Sequence, residues 1–279
     1  MKFFKTKKGI IITVSVIIAV ILIIRHIVAE KSVFYKVPYE KTDITSTLDK
    51  KQLSDKDYIL IFEQTGISPT AAKELIEDGN TQFIQKLHEL YFNKPLSKKN
   101  YIAFPITLEE MNKTQITPIV PLKKGDILVT FNTRTLDWRH GHCGLVLDES
   151  GTQLLEHMAI GETSCITDAF YWGRYPAFLV LRYRDEKISQ KAADYAKDNL
   201  VDIPYNIFAG VFKKDKSDKK EPSSHCSHIV WQAYKSQKVD IDKNDGIFVT
   251  PRDIADSGNL QVVQIYGLNP KGYTSRILK

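Results

Sequence analysis

At Pro118 the apolar pattern changes period, and that switch constrains the fold of the chain more than any other feature. Before it, over residues 51–117, the spacing is helical: Ser54 is placed to cap a helix carrying Tyr58, Ile59 and Ile61. Ser68-Pro69 starts a second helix with proline at its first position. Gly79-Asn80 then punctuates, and Phe83, Leu87, Leu90 and Tyr91 share one helical face. After Pro118, short runs typical of strands occupy residues 127–131, 142–147, 152–158, 178–183 and 260–265, with Asp148-Glu149-Ser150-Gly151 turning the second back on the third. Helical spacing returns over about 188–200 and in a helix opening at Ser223-Ser224. The expected fold is α+β: an antiparallel sheet packed on helices over 118–279, a small helical cap over 51–117, and a polar linker over 30–50.

The chain carries 39 Lys and Arg against 33 Asp and Glu, but Lys2, Lys5, Lys7, Lys8 and Arg25 stand in residues 1–29 without an acid, so the remainder is nearly neutral. That balance excludes a nucleic-acid partner on charge grounds. Apolar residues at 43% and charged residues at 26% also exclude a disordered tail or a polytopic membrane protein. From Gly9 to Ile24 sixteen residues carry no charge. A helix from Gly9 to Ala29 would span roughly 31 Å, about one hydrocarbon core. With lysines ahead of it, residues 1–29 are expected to be a single-pass membrane anchor that leaves the rest extracytoplasmic. A cleaved signal peptide shares this layout, although Ile27 stands where a cleavage site wants a small residue.

Cys143, Cys165 and Cys226 are too few for a disulfide scaffold, and an odd count leaves at least one thiol free. Cys226 falls in the first turn of its helix, where unpaired backbone N–H groups favour thiolate over thiol. A nucleophilic thiolate needs an imidazole beside it, and the imidazole needs a third polar group to hold it. The hairpin offers both: His142 at the start of one strand and Glu156 near the end of its partner, on positions that side-chain parity can bring to one face.

These residues carry a resemblance. His142-Cys143-Gly144-Leu145-Val146-Leu147, Leu154-Leu155-Glu156 and Phe170-Tyr171-Trp172-Gly173-Arg174-Tyr175 resemble the His half of the NlpC-type papain-like cysteine peptidases. Pro204-Tyr205 and the run His225-Cys226-Ser227-His228-Ile229-Val230-Trp231 resemble their Cys half. The Cys half comes last, as in the circularly permuted YiiX-like branch, which is also similar to the lecithin:retinol acyltransferases. Covering roughly 118–268, the resemblance implies a permuted papain-like domain with Cys226 as nucleophile, His142 as general base and then acid, and Glu156 as its orienting group. It also implies that Tyr205 positions substrate. His225 stands where many of those proteins carry Asp.

Alternatives stay open at this point. His140 shares parity with His142 and rivals it as base, and His157 rivals Glu156. Cys143 points to the opposite strand face and reads as a core thiol, and Lys213 to Lys220 as a solvated loop. The aromatic cluster Phe170, Tyr171, Trp172 and Tyr175 is either a substrate wall or core packing. His140, His142 and Cys143 with His225, Cys226 and His228 are the competing zinc set, in no familiar structural spacing. The expected function is a membrane-tethered cysteine hydrolase, with no cofactor, cleaving amide bonds in cell-wall peptide. The alternatives are a lipid-directed acyl hydrolase or acyltransferase, and a non-catalytic binding module.

Overall fold

The structure, a computed structural model, describes residues 7–29, 34–93, 95–103, 106–111, 115–135, 138–211 and 222–277. The Lys213 to Lys220 stretch lies outside the described residues. From the N-terminus, α1 (Lys7–Ala29) and the short α2 (Thr45–Leu48) precede three helices. Of these, α3 (Asp55–Thr65) starts at a capping box in which the Ser54 side chain accepts from Asp57 N and the Asp57 carboxylate accepts from Ser54 N. The next, α4 (Pro69–Glu77), is capped by Ser68 with proline at its first turn, and α5 (Thr81–Tyr91) follows the Gly79-Asn80 break. Their apolar faces join Val37, Ile44 and Leu48 of the preceding segment in one buried cluster. Residues 34–50, expected to be a linker, therefore pack onto these helices.

The membrane assignment does not hold. A helix forms over Lys7–Ala29, yet no helix among the described residues is long and apolar enough to cross a membrane. The uncharged run inside it extends only from Gly9 to Ile24, about 24 Å at 1.5 Å per residue against a hydrocarbon core of about 30 Å. Lys7-Lys8 bounds it on one side and Arg25-His26 on the other.

The stretch expected to be wholly helical up to residue 117 ends in two strands, β1 (Ser97–Ala103) and β2 (Ile106–Met111). The polar sequence SKKNYIA of β1 has no alternation, so its strand character comes from antiparallel pairing with β2 rather than from its own pattern. The main sheet begins with β3 (Ile127–Thr130), and β4 (Thr133–Thr135) completes a three-stranded sheet in the order β1-β2-β4. Then come β5 (His142–Val146), β6 (Gln153–Glu156), β7 (Cys165–Asp168), β8 (Phe178–Tyr183), α6 (Glu186–Asn199), α7 (Cys226–Lys235), α8 (Pro251–Ala255) and β9 (Leu260–Tyr266). Six strands form the antiparallel main sheet in the order β7-β6-β5-β3-β8-β9.

One face of this sheet packs α6 and α7 around Val129, Cys143, Leu145, Leu179 and Leu181. Every residue of α7 from Cys226 to Tyr234 is buried, and each large apolar side chain among them contributes about 1.5–3 kcal/mol. The other face buries Leu128, Val146, Leu154, Trp172 and Tyr175. At the far edge, the turn after α3 runs along β9: Ile265 N donates to Gly66 O at 2.8 Å and Ser68 N to Val263 O at 2.9 Å. Gly66 holds φ +74°, and a Cβ there would meet Ile265 O at 2.0 Å, so the approach requires glycine. Gln264 fastens the segment before β3 to the same strand, accepting from Val120 N at 2.8 Å and donating to Pro118 O at 2.9 Å.

Candidate active site

Antiparallel register brings His142 and Glu156 together. β5 and β6 pair Leu145 with Leu155, and the same register carried one residue further sets Glu156 opposite Gly144, diagonal to His142 on one face. His142 Nε2 lies 2.9 Å from Glu156 Oε1, with both side chains buried. Gly141 holds φ +80° just before the strand, which turns the chain so that the imidazole starts β5.

Glu156 has further donors that the sequence reading did not assign to it. Trp172 Nε1 donates to Glu156 Oε1 at 2.9 Å, and the Thr167 hydroxyl donates to Oε2. The Trp172 ring also stacks on His142, with centroids 5.5 Å apart and planes at 24°. Trp172 sits in a 3-10 turn over Ala169–Arg174 that is capped by Asp168, whose carboxylate accepts from Phe170 N at 2.9 Å. The sequence marked Trp172 only as a member of the Phe170–Tyr175 run and its aromatic cluster, of which Trp172 and Tyr175 are buried while Phe170 and Tyr171 are exposed.

Burial opposes ionisation of Glu156, but bonding to His142, Thr167 and Trp172 outweighs it and holds the carboxyl below its usual range. With Nε2 committed to that carboxylate, Nδ1 of His142 is left for Cys226. Burial works against charge on the His142 ring, yet hydrogen bonds and charge from Cys226 and Glu156 raise it to about 9. Burial likewise pushes the Cys226 thiol up, and His142 and His225 together overcome this and hold it well below the ordinary thiol value. Each group thus favours the charged form of the other at the start of α7, where the backbone N–H groups of the first turn have no partners within the helix.

The helix begins at Cys226 with His225 in the capping position, one or two residues later than the Ser223-Ser224 start expected. No side chain caps it, because the Ser224 hydroxyl instead bonds His228 Nδ1 at 2.9 Å.

The rivals have other partners. His140 Nε2 bonds the Thr135 hydroxyl at 2.9 Å and its Nδ1 bonds Gly141 O at 2.7 Å; burial lowers its pKa, and it has no carboxylate comparable to Glu156. His157 is fully buried edge-on to Tyr205, with ring centroids 4.9 Å apart, and burial pushes it down to about 4. Cys143 is fully buried in the main core, whereas Cys165 is exposed. Among the described residues, no three His, Cys, Asp or Glu side chains are grouped to hold a metal ion.

A cavity of about 410 Å³ opens over Cys226. Trp138, Tyr205, Ile207, Phe208, Phe248 and Pro251 give its wall an apolar character beside His140, His225 and Cys226, and Trp138 and Phe208 are 62% and 58% exposed. Tyr205 thus stands beside Cys226, whose charge adds to burial in raising its phenol. No family model, curated protein or solved structure matches the chain.

Proposed function

We propose that the chain is a cysteine acyl hydrolase of the circularly permuted NlpC-type group, working through Cys226, His142 and Glu156. The observation that carries this reading is the buried His142, bonded through Nε2 to Glu156 and hydrogen-bonded to Cys226, whose thiol is held well below its ordinary value. In the reaction, Cys226 Sγ attacks an ester or amide carbonyl and forms the S–C bond. His142 Nδ1–H protonates the leaving oxygen or nitrogen, and water resolves the thioester. The oxyanion falls near the Cys226 N–H at the helix start, a donor fixed before reaction.

The cavity favours a lipid acyl ester or amide as substrate. Its aromatic and aliphatic wall suits a hydrocarbon chain, whereas a wall peptide brings carboxylates and amines that need charged partners. The cell-wall and the lipid readings both leaned on a membrane span that no described helix provides, so the cavity wall is what separates them.

The test is hydrolysis of umbelliferyl esters of increasing chain length and of phospholipid vesicles, set against soluble muropeptides, with Cys226→Ala as the control. Turnover that rises with chain length and vanishes in Cys226→Ala supports the lipid reading. Muropeptide cleavage alone would return the peptide reading to first place. Equal activity in Cys226→Ala would remove the nucleophile assignment.

A further inference from the structure

The cavity wall beside Cys226 has one polar corner whose hydrogens are fixed by their partners. Thr135 ends β4 and exchanges both backbone bonds with Trp138, at 2.9 and 3.0 Å. His140 follows two residues later, its ring tilted against the Trp138 ring with centroids 5.6 Å apart. Thr135, Trp138, His140 and Cys226 all line the cavity.

His140 Nδ1 lies 2.7 Å from Gly141 O, and a carbonyl oxygen only accepts, so Nδ1 carries a hydrogen. The neutral ring then keeps its lone pair on Nε2, which stands 2.9 Å from Thr135 Oγ1. Towards that lone pair the hydroxyl must donate, and it has one hydrogen to give. Burial favours the neutral ring against the nearby charge of Cys226. Thr135 Oγ1 is left with lone pairs alone, and among the described residues no donor reaches them. The other aliphatic hydroxyls of the wall are occupied on both sides. Ser227 donates to Val249 O and faces His225 Nδ1 at 3.3 Å; Thr250 donates to Asp253 Oδ2 and accepts from Asp253 N. Ile207, Phe208, Phe248, Val249 and Pro251 bring no side-chain hydrogen-bonding group.

We propose that Thr135, oriented by His140, is a specificity-determining acceptor that takes a hydroxyl or N–H of the substrate's leaving group. With the hydrocarbon chain against the apolar wall, the polar corner falls to the other side of the scissile bond. An ether or second ester oxygen placed there meets lone pairs with no hydrogen between them, after losing its water. The corner therefore selects by rejection as well as attraction: acyl esters or amides with a free hydroxyl or N–H are favoured over the same molecules alkylated.

The inference takes its substrate from the acyl hydrolase reading, and two readouts separate them. Binding of 2-hydroxyethyl octanoate and of 2-methoxyethyl octanoate, which differ only in that donor, is followed by tryptophan fluorescence in the full chain carrying Cys226→Ala. Hydrolysis of the same two esters is followed in the chain that keeps Cys226. The hydroxyethyl ester should bind about tenfold tighter or more, and kcat/KM should show the same preference. Adding Thr135→Val should bring the ratio close to one, and Thr135→Ser should restore it. His140→Phe frees the Thr135 hydroxyl to donate, so it should strengthen binding of the methoxyethyl ester. A thermal melt accompanies each variant. Equal binding of the two esters, or a preference that persists in folded Thr135→Val, overturns the inference, and Cys226-dependent turnover would still leave the hydrolase reading standing. A Thr135-dependent preference in binding with no turnover of either ester removes the hydrolase reading and keeps the acceptor corner. Absence of binding by both esters overturns both. Should Thr135→Val fail to fold, an unmoved ratio in His140→Phe decides against the inference.

Discussion

Glu156 Oε1 stands 2.9 Å from His142 Nε2 although fourteen residues separate them in the chain. The contact fixes which ring nitrogen carries hydrogen and which faces the thiol, so the orientation of the base is decided by strand register rather than by a local loop. Because the carboxylate also accepts from Trp172 and Thr167, it is held from three sides.

That arrangement sets the pH profile. His142 keeps its proton up to about 9, and Cys226 stays ionised well below the ordinary thiol range. The kcat/KM for an ester substrate should therefore rise on the acid side as Cys226 ionises, stay level through neutrality, and fall as pH passes about 9 and the general acid is lost. His142→Gln should lower it by about 10²–10⁴-fold and erase the alkaline limb.

Glu156→Gln retains an oxygen that can accept from His142 but removes the charge that helps raise its pKa. The alkaline limb should move below about 9, with kcat lowered and KM little changed. Trp172→Phe keeps a ring on the imidazole and deletes only the N–H bond to Glu156, which stays ionised with its charge less shared, so the alkaline limb should stay at about 9 or above rather than move down. A Glu156→Gln profile identical to wild type would show that the carboxylate does not tune the base.

Two glycines next to the site should respond differently to a methyl group. A Cβ at Gly144 would meet Leu154 Cδ2 at 2.7 Å inside the sheet core, an overpacking expected to cost about 1–3 kcal/mol and to lower the melting temperature. Leu154→Ala in the same chain should relieve part of that clash, a non-additivity that a double-mutant cycle measures. A Cβ at Gly141 would meet the backbone Thr130 O at 2.7 Å in a left-handed conformation, so Gly141→Ala should displace His142 and reduce activity beyond its effect on stability.

Glu109 accepts from Asn132, Arg134 and Arg139, and both it and Arg134 are buried. Burial alone would raise its pKa; the hydrogen bonds and charges of these partners bring it below the usual value instead. A carboxylate depressed in the folded state stabilises above its unfolded pKa of about 4.3 and loses that contribution as pH falls further. Glu109→Ala leaves buried guanidinium charge uncompensated and should cost about 3–5 kcal/mol in urea unfolding at pH 7.

Substrate length gives a separate readout of the cavity wall. Phe208→Ser and Trp138→Ser should raise KM for long-chain esters while leaving acetyl esters unaffected, since only a long chain reaches the rim. An equal change for both lengths would point to a disturbed nucleophile rather than a lost binding surface.

Where local chemistry decides the structure, the sequence was readable. Ser54 and Ser68 cap the helices they were expected to cap, and the strands carrying His142 and Glu156 run antiparallel as their turn signals required. What escaped depends on contacts distant in the chain. β1 is a strand because β2 lies beside it, and Trp172 supports the base because a 3-10 turn delivers its indole to Glu156. The membrane span was misjudged by including residues beyond Arg25, although the uncharged run ends at Ile24.

The close passage of Gly66 and Ser68 along β9 has a consequence for handling the protein. Those bonds occupy backbone groups that would otherwise present a free sheet margin to another molecule, and such margins recruit foreign strands. The helices ahead of the sheet thus act as a shield against self-association, independent of any part in chemistry. A chain shortened to the segment after Pro118 would keep Cys226, His142 and Glu156 yet be prone to precipitate.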